Sequence, residues 1–226
     1  MPALVHTPEI VQLPIDGVRL EGELCLPSEA CGLVVFAHGS GSSHLSPRNH
    51  LLAHELHSAG IGTLLFDLLT RCEDASDITH LVRFDIELLT HRLLGATEWL
   101  RAQPGAGELG VGYFGASTGA AAALCAAAEN PEGVRAVVCR GGRPDLAEQA
   151  LGRVQAPTLL IVGGWDDVVL QLNREALRRL GGEKRLEIVP RATHLFEEPG
   201  AMDEVARLAT RWFARHFHAA ENLNPS

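Results

Sequence analysis

One serine of this chain, Ser117, stands in a setting that could make it a nucleophile. It is the centre of the segment GASTG, between an apolar, aromatic run and a run of alanines. A strand that reverses into a helix passes close to the first helical turn, so Gly115 and Gly119 suit the positions beside the tip. The reversal would expose the Ser117 hydroxyl beside a helix amino end, which favours developing negative charge. The pattern predicts a nucleophile, and the alternative is a serine that serves only the turn.

A nucleophilic serine needs a base and an acidic group that orients the base. His194 is the only histidine between the apolar run at 184–190 and the last predicted helix, and we predict that it acts as general base and then as general acid. Asp166 and Asp167, in the segment GGWDDVV, compete for the orienting role. Asp166 comes first after its strand, four residues before a helix expected to start near Leu170, and is favoured; Asp167 suits a helix cap or a position facing water.

The tetrahedral intermediate of acyl transfer also needs donors for its oxyanion. The backbone NH of Thr118, the residue after the nucleophile, is one candidate donor. The segment HGSGSS at residues 38–43 offers a second donor from Ser40 or Gly41. The alternative for this segment is a plain connection between a strand and a helix.

Two arginines follow another predicted strand at the same sheet edge. Arg140 and Arg143, in the segment CRGGRPD, could hold a substrate carboxylate through their guanidinium groups. The alternative is packing or ion pairing with the nearby Asp145 and Glu148. That alternative is favoured, because most arginines serve structure or solubility.

A histidine-rich helix, HLLAHELH, spaces His50, His54 and His57 so that they could hold a metal. The HExxH pattern fails, because a single residue separates Glu55 from His57. We expect a solvated helix face, no metal, and no cofactor for the proposed chemistry.

The elements that position these residues alternate between strands and helices. Short apolar runs without polar alternation indicate strands covered on both faces, as in a parallel sheet between helices. These runs span residues 32–38, 60–67, 109–115, 134–140, 156–164 and 184–190. Helices are predicted for residues 49–59, 81–102, 117–129 and 171–180, and for a last helix with Val205, Leu208, Ala209, Trp212, Phe213 and Phe217 on one stripe.

Residues 9–26 are predicted to form two strands joined at Asp16-Gly17, a dipeptide favoured in tight hairpins. The predicted fold is a doubly wound, mostly parallel α/β sheet with an antiparallel N-terminal ribbon and no lid, in one domain over residues 1–226. Ligands of such sheets lie beyond the carboxyl ends of the strands. Residues 67–80 are predicted to form a polar surface loop near those ends, and the favoured interpretation is a solvated connection without a function of its own.

The composition limits the classes of function. With 226 residues, 46% hydrophobic, 21% charged and a net charge of −9, the chain suits a globular domain, and nucleic acid and anionic membranes are disfavoured partners. The N-terminus lacks the pattern of a secretory signal or an anchor. Five scattered cysteines, mostly in apolar segments, suit buried reduced thiols and a cytoplasmic location. The sequence leaves open whether the chain forms a homodimer.

The order Ser117, Asp166, His194, together with the segments HGSGSS, GASTG and GGWDDVV, resembles the α/β-hydrolase superfamily. The lidless layout is similar to its dienelactone-hydrolase-like branch, and the likeness runs from about residue 18 to 217. In that branch the acid commonly lies in a GxxDxxV pattern, which matches Gly163, Asp166 and Val169. Dienelactone hydrolases typically carry a cysteine nucleophile, so Ser117 shifts the implied activity towards a serine esterase.

These observations predict hydrolysis of a small carboxylic ester or lactone through an acyl-enzyme, in an accessible cleft that favours short acyl groups. A binding protein that kept the fold is the alternative from another class, and its signature would be a missing triad member. Acyl transfer to an alcohol or amine remains open, because exclusion of water from the cleft selects the acceptor. Activated phosphate esters are a weaker hypothesis for the substrate.

Overall fold

The computed structural model describes residues 7–221, which form one eight-stranded sheet and six α-helices. The strands are β1 (Glu9–Ile15), β2 (Val18–Cys25), β3 (Gly32–Ala37), β4 (Ile61–Phe66), β5 (Val111–Ala116), β6 (Val134–Arg140), β7 (Thr158–Gly163) and β8 (Lys184–Val189). The helices are α1 (Pro47–Ser58), α2 (Arg71–Ser76), α3 (Ile86–Arg101), α4 (Thr118–Glu129), α5 (Asp167–Arg179) and α6 (Ala201–Glu221). Each predicted strand is present, with bounds within two residues of those expected.

The sheet has the order β1-β2-β4-β3-β5-β6-β7-β8. Strands β1 and β2 pair antiparallel, β2 pairs antiparallel with β4, and the strands from β4 through β8 are parallel. In the hairpin turn, Asp16 and Gly17 have φ angles of 54° and 77°, the left-handed pair that matches the twist of the flanking strands. The predicted antiparallel ribbon at the sheet edge is therefore confirmed.

Helices cover both faces of the sheet. On one face α1 and α6 pack over Phe36 and Phe114, whose ring centroids lie 5.1 Å apart, and Phe213 of α6 belongs to the same buried cluster. On the other face α3, α4 and part of α5 enclose Tyr113 and the buried alanines of α4. This arrangement is the α/β-hydrolase fold, and it brings the carboxyl ends of β3 through β8 to one edge.

Two predicted helix starts were wrong. Helix α3 begins at Ile86, not at residue 81, because the Asp85 side chain caps it by accepting a hydrogen bond from the Leu88 NH at 3.0 Å. Helix α5 begins at Asp167 and not near Leu170, so Asp166 is its N-cap residue and not a loop residue four positions away.

Residues 67–80, expected to be a loop, contain the short helix α2. Thr70 and Glu73 form a capping box at its start, a pattern that the T-x-x-E spacing could have indicated. Glu73 also forms an ion pair at 2.6 Å with Arg92, whose side chain is almost fully buried. A charge pair therefore anchors this segment to α3.

The cysteine prediction was only partly right. Cys25 and Cys139 are buried, whereas Cys72 is exposed on α2. Within residues 7–221, no helix combines the length and apolar character needed to cross a membrane.

Candidate active site

Ser117 lies at a strained turn between β5 and α4. Its φ and ψ angles are 50° and −117°, a conformation that costs a residue with a side chain about 1–3 kcal/mol. A Cβ atom on Gly115 would lie 2.5 Å from the Ala120 Cα, and one on Gly119 would lie 2.1 Å from the Ala37 carbonyl oxygen. The two glycines flanking the serine are therefore required by this close approach.

The Ser117 hydroxyl is not used to cap helix α4. Ser117 is the N-cap residue, but its side chain accepts no hydrogen bond from the first turn. Its backbone NH donates to the Arg140 carbonyl at 3.2 Å, which ties the turn to the end of β6. The hydroxyl thus stands beside the amino end of a twelve-residue helix, where developing negative charge is favoured.

His194 and Asp166 are in direct contact. The Nδ1 atom of His194 lies 2.7 Å from Oδ2 of Asp166, whose side chain is 14% exposed. As N-cap of α5, Asp166 forms no side-chain cap bond, and its carboxylate turns to the imidazole instead. Asp167 is exposed at the first position of the same helix. Of the two candidate aspartates, the structure places Asp166 against His194.

Backbone contacts hold the two loops that carry this pair. The Trp165 NH donates to the Ala192 carbonyl at 2.9 Å, joining the loop after β7 to the loop after β8. A Cβ atom on Gly163 would lie 2.3 Å from that same carbonyl oxygen, so only glycine permits the approach. The carboxylate and imidazole are thus positioned by a packed backbone.

The end of β6 connects His194 with Ser117. A Cβ atom on Gly141 would lie 3.4 Å from both Nδ1 and Cε1 of the His194 ring, so the imidazole rests against this residue. The preceding residue, Arg140, accepts the Ser117 NH through its carbonyl. The imidazole and the serine turn therefore lie against adjacent residues of one short segment.

The loop after β3 lies against the serine turn. A Cβ atom on Gly39 would lie 3.1 Å from the Ser117 Cβ. The Ser40 NH donates to the Thr118 side-chain oxygen at 3.0 Å, and Gly41 has a φ of 72°, in the left-handed region. The structure thus brings Gly39 and Ser40 against the serine turn, and Gly41 lines a narrow space together with Ser40 and Thr118. The role of Ser40, Gly41 and Thr118 as oxyanion donors stays a prediction.

His38 holds this loop, a role that the sequence analysis missed. Its Nδ1 atom is 3.0 Å from the Gly39 carbonyl oxygen, and its Nε2 atom accepts a hydrogen bond from the Leu68 NH at 3.0 Å. One ring nitrogen donates and the other accepts, so this network fits the neutral imidazole. Burial lowers the pKa of His38, which favours the same form.

The two predicted substrate arginines differ in their surroundings. Arg143 forms two hydrogen bonds to Asp145, at 2.9 and 2.7 Å, as the favoured alternative expected. Arg140 is 8% exposed and forms no ion pair with any described residue. Its Nη1 atom lies 3.6 Å from the Met202 sulfur, and its Nε atom has no partner. Burial, and secondly the nearby Arg48, lower the pKa of Arg140 to about 10.

No metal site is formed by the described part of the chain, where no three His, Cys, Asp or Glu side chains are arranged to bind an ion. On α1, His57 is hydrogen bonded to Thr63 at 2.7 Å, and His50 lies 3.6 Å from Glu23. The expected solvated face was therefore wrong for His57, which contacts β4, whereas the His50 side chain is 39% exposed.

Comparisons with known proteins agree with this architecture. The family model described as "Dienelactone hydrolase family" matches residues 20–221. A crystal structure of dienelactone hydrolase from Anabaena variabilis is 56% identical, with a TM-score of 0.91 over 93% of this chain and 98% of that chain. A dienelactone hydrolase-like promiscuous phosphotriesterase from metagenomic libraries is 21% identical, with a TM-score of 0.74 over 93% of this chain and 98% of that one. At that identity the likeness shows the fold alone.

A "putative phosphoribosyl transferase" of Mycobacterium tuberculosis is 56% identical over 208 residues. The match covers 92% of this chain but 46% of that protein, so the chain spans about half the length of this relative.

Proposed function

The chain belongs to the dienelactone hydrolase family, and from that premise we propose that it hydrolyses small carboxylic esters or lactones through an acyl-enzyme on Ser117. The observation that carries the proposal is the 2.7 Å contact between His194 and Asp166, at the same sheet edge as a serine in a strained turn. A carboxylate in that position stabilises the imidazolium that forms when the base takes the serine proton.

The proposed reaction has two steps. In the first, Ser117 Oγ attacks the substrate carbonyl while His194 takes the hydroxyl proton, and the tetrahedral intermediate collapses with release of the alcohol, which receives that proton. In the second, His194 deprotonates a water molecule that attacks the acyl-serine ester, and the acid leaves while the proton returns to Ser117. Backbone NH groups of Ser40 or Gly41 and of Thr118 stabilise the oxyanion in both steps.

We further propose that Arg140 meets an anionic group on the acyl part of the substrate. A buried guanidinium without a carboxylate partner is costly, and a bound carboxylate would compensate it through charge-assisted hydrogen bonds. Arg140 ends β6, the strand next to β5 and Ser117, so it is close enough to act on the same ligand. Arg143 is the weaker candidate, because Asp145 already neutralises it.

Three alternative activities would each give a distinct result in assays with ester and phosphotriester substrates. A binding protein would hold the ester without turnover, an acyltransferase would pass the acyl group to an added alcohol or amine, and a phosphate-ester hydrolase would turn over activated phosphotriesters. The match covers 46% of the M. tuberculosis relative, so the name of that longer protein supports no separate activity for this chain.

The decisive experiment is pre-steady-state hydrolysis of p-nitrophenyl acetate by the parent and by Ser117→Ala. We expect a burst of p-nitrophenol equal to the enzyme concentration in the parent, and a loss of about 10³-fold or more in kcat for the variant. Equal rates in the two proteins, or failure of a fluorophosphonate to label the parent, would overturn the proposal.

A matched pair of variants tests the choice of acid. Asp166→Asn should reduce kcat strongly, because the imidazole loses the charge that stabilises its protonated form. Asp167→Asn changes the same side chain one position along, at an exposed site, and should leave kcat near that of the parent. Similar losses in both variants would contradict the assignment.

A further inference from the structure

A recess of about 210 Å³ lies between the loop after β3 and the segment after β4. Ser42, Ser43 and His44 line one wall, and Asp67 and Asp74 line the other. This recess has no role in the proposed steps at Ser117, and seven of its nine lining residues have polar side chains. Its position at the carboxyl ends of two adjacent strands is where ligands of such sheets bind.

The recess continues towards the candidate oxyanion donors. A narrower space shares His38 and Asp74 with it and is also lined by Gly39, Ser40 and Thr118. A group in the recess could therefore be joined to a carbonyl carbon held at Ser117.

Asp67 is a carboxylate without an arginine or lysine partner among the described residues. Its side chain is 15% exposed, and Oδ1 accepts the His44 backbone NH at 2.7 Å. The His44 Nδ1 atom lies 2.9 Å from the same oxygen but outside hydrogen-bond geometry, so the backbone contact is the firmer one. No described residue donates to Oδ2, which leaves an acceptor at the wall of the recess.

His44 presents a second polar atom. The residue is 7% exposed and lines the recess, and its Nδ1 atom is buried without a hydrogen-bond partner in the described part of the chain. A buried polar atom at the wall of a recess normally completes its hydrogen bonds with a ligand or water.

The remaining charged groups of the recess are already neutralised. Arg71 is 2.6 Å from Glu21, and Asp74 is 2.7 Å from Arg83. The recess therefore offers the Asp67 carboxylate, the His44 ring and serine hydroxyls, with no cation left to attract an anion. Groups that both donate and accept hydrogen bonds match this set best, and alcohol hydroxyls have that property.

We propose that this recess binds the alcohol part of the ester and selects alcohols with additional hydroxyl groups, such as glycerol or a sugar. The proposal rests on the proposed function and names one half of its substrate. The strand order β4-β3-β5-β6 puts Asp67 on one side of Ser117 and Arg140 on the other. The acyl group and the leaving alcohol thus occupy opposite sides of the nucleophile.

The chemistry is that of the first step at Ser117. The bond between the serine oxygen and the acyl carbon forms, the bond between that carbon and the alcohol oxygen breaks, and the alcohol leaves with the proton from His194. Hydrogen bonds from the spare hydroxyls to Asp67 hold the alcohol in position before and during this step.

The test compares 1-monoacetylglycerol with propyl acetate, two esters with the same acyl group and a three-carbon alcohol. In the parent, kcat/KM for the glycerol ester should exceed that for propyl acetate about tenfold or more, because hydrogen bonds to a buried carboxylate are strong. In Asp67→Asn this ratio should fall towards one. Asp203→Asn, the same change at an exposed position of α6, should keep the parent ratio.

Several outcomes overturn the proposal. A parent ratio near one, or an unchanged ratio in Asp67→Asn, would contradict it while p-nitrophenyl acetate hydrolysis still supported the proposed function. A preference for acetylcholine over the glycerol ester would show a cation site instead. If Asp67→Asn does not fold, product inhibition of the parent decides: glycerol should inhibit more strongly than 1-propanol, and the reverse order would refute the inference. A parent inactive on every ester would overturn the proposed function itself.

Discussion

The backbone NH of Ser40 donates a hydrogen bond to the side-chain oxygen of Thr118 at 3.0 Å. This contact joins the loop after β3 to the residue that follows the candidate nucleophile, and Thr118 is 2% exposed. The neutral hydroxyl directs the NH before substrate arrives. In the proposed mechanism an oxyanion, which is a stronger acceptor, would replace this hydroxyl, and the arrangement would then favour the transition state over the bound ester.

Thr118→Val should therefore lower kcat on p-nitrophenyl acetate by about 10- to 100-fold, because the Ser40 NH loses the acceptor that fixes its direction. KM should change little, while the affinity for a trifluoromethyl ketone transition-state analogue should fall in parallel with kcat. Thr118→Ser keeps the hydroxyl and should retain most of the parent activity. A faster Thr118→Val variant would show that the hydroxyl only obstructs the donor.

The second prediction concerns stability and the buried His38. Burial lowers its pKa, so below the ordinary value of 6.5 the unfolded chain binds a proton that the folded protein resists. Stability should fall as pH drops from about 7 towards the lowered folded-state pKa of this group. Urea denaturation of the parent and of His38→Asn at pH 7.5 and 5.5 measures this effect. Burial also lowers the pKa of His216, but this histidine is present in both proteins, so its contribution cancels in the comparison.

We expect His38→Asn to be less stable than the parent at pH 7.5 but to lose less stability on acidification. Equal losses in the two proteins would assign the pH dependence to other groups.

Much of this architecture follows from local sequence rules. The hairpin at Asp16-Gly17 could be predicted because left-handed turns favour those residue types, and the turn at Ser117 because its close approach requires Gly115 and Gly119. The preference for Asp166 over Asp167 came from its position first after the strand and from the GxxDxxV pattern, and the contact with His194 agrees with it. These features depend on short segments or on which strand ends share an edge.

Features that depend on distant partners could not be predicted. The start of α5 was misplaced because the Asp166 side chain turns to His194 instead of capping its own helix, which the local pattern does not reveal. The Ser40–Thr118 hydrogen bond spans 78 positions along the chain. Short helix α2 was missed although its capping box was visible, because its polar composition suggested a loop.

The third prediction tests the ion pair that anchors α2. Glu73→Gln leaves the buried Arg92 guanidinium without a counter-charge and should destabilise the fold by about 2–3 kcal/mol, since Glu73 is itself partly exposed. The hydrogen bond from Arg92 is the largest cause of the lowered pKa of Glu73, about 2. The carboxylate therefore stabilises the fold above pH 4.5, and this contribution is lost as pH falls towards 2.

Chemical denaturation at pH 7 and pH 3 checks both statements. The difference in unfolding free energy between the parent and Glu73→Gln should be smaller at pH 3 than at pH 7. Glu204→Gln is the matched control, because its ion pair with Arg207 lies at the surface and such pairs contribute less than about 1 kcal/mol. An equally large loss of stability in Glu204→Gln would mean that the exposure of an ion pair does not determine the cost of breaking it.

The last prediction separates a structural from a functional role for Arg140. If its charge serves substrate binding, Arg140→Met should leave stability unchanged or raise it by about 1 kcal/mol, because a buried guanidinium without an anion is removed. The same variant should lose its preference for mono-p-nitrophenyl succinate over p-nitrophenyl butyrate, which has an acyl chain of similar length but no carboxylate. Thermal unfolding and kcat/KM for both esters measure the two effects.

Arg143→Met is the control, because that guanidinium is already paired with Asp145 and its loss should not alter the preference for the charged ester. A destabilised Arg140→Met variant with the parent's substrate preference would assign Arg140 to the packing around Met202. A stable Arg140→Met variant that has lost this preference would show that the buried charge serves substrate binding at a cost in stability. The charge would then act on the β6 side of the candidate nucleophile.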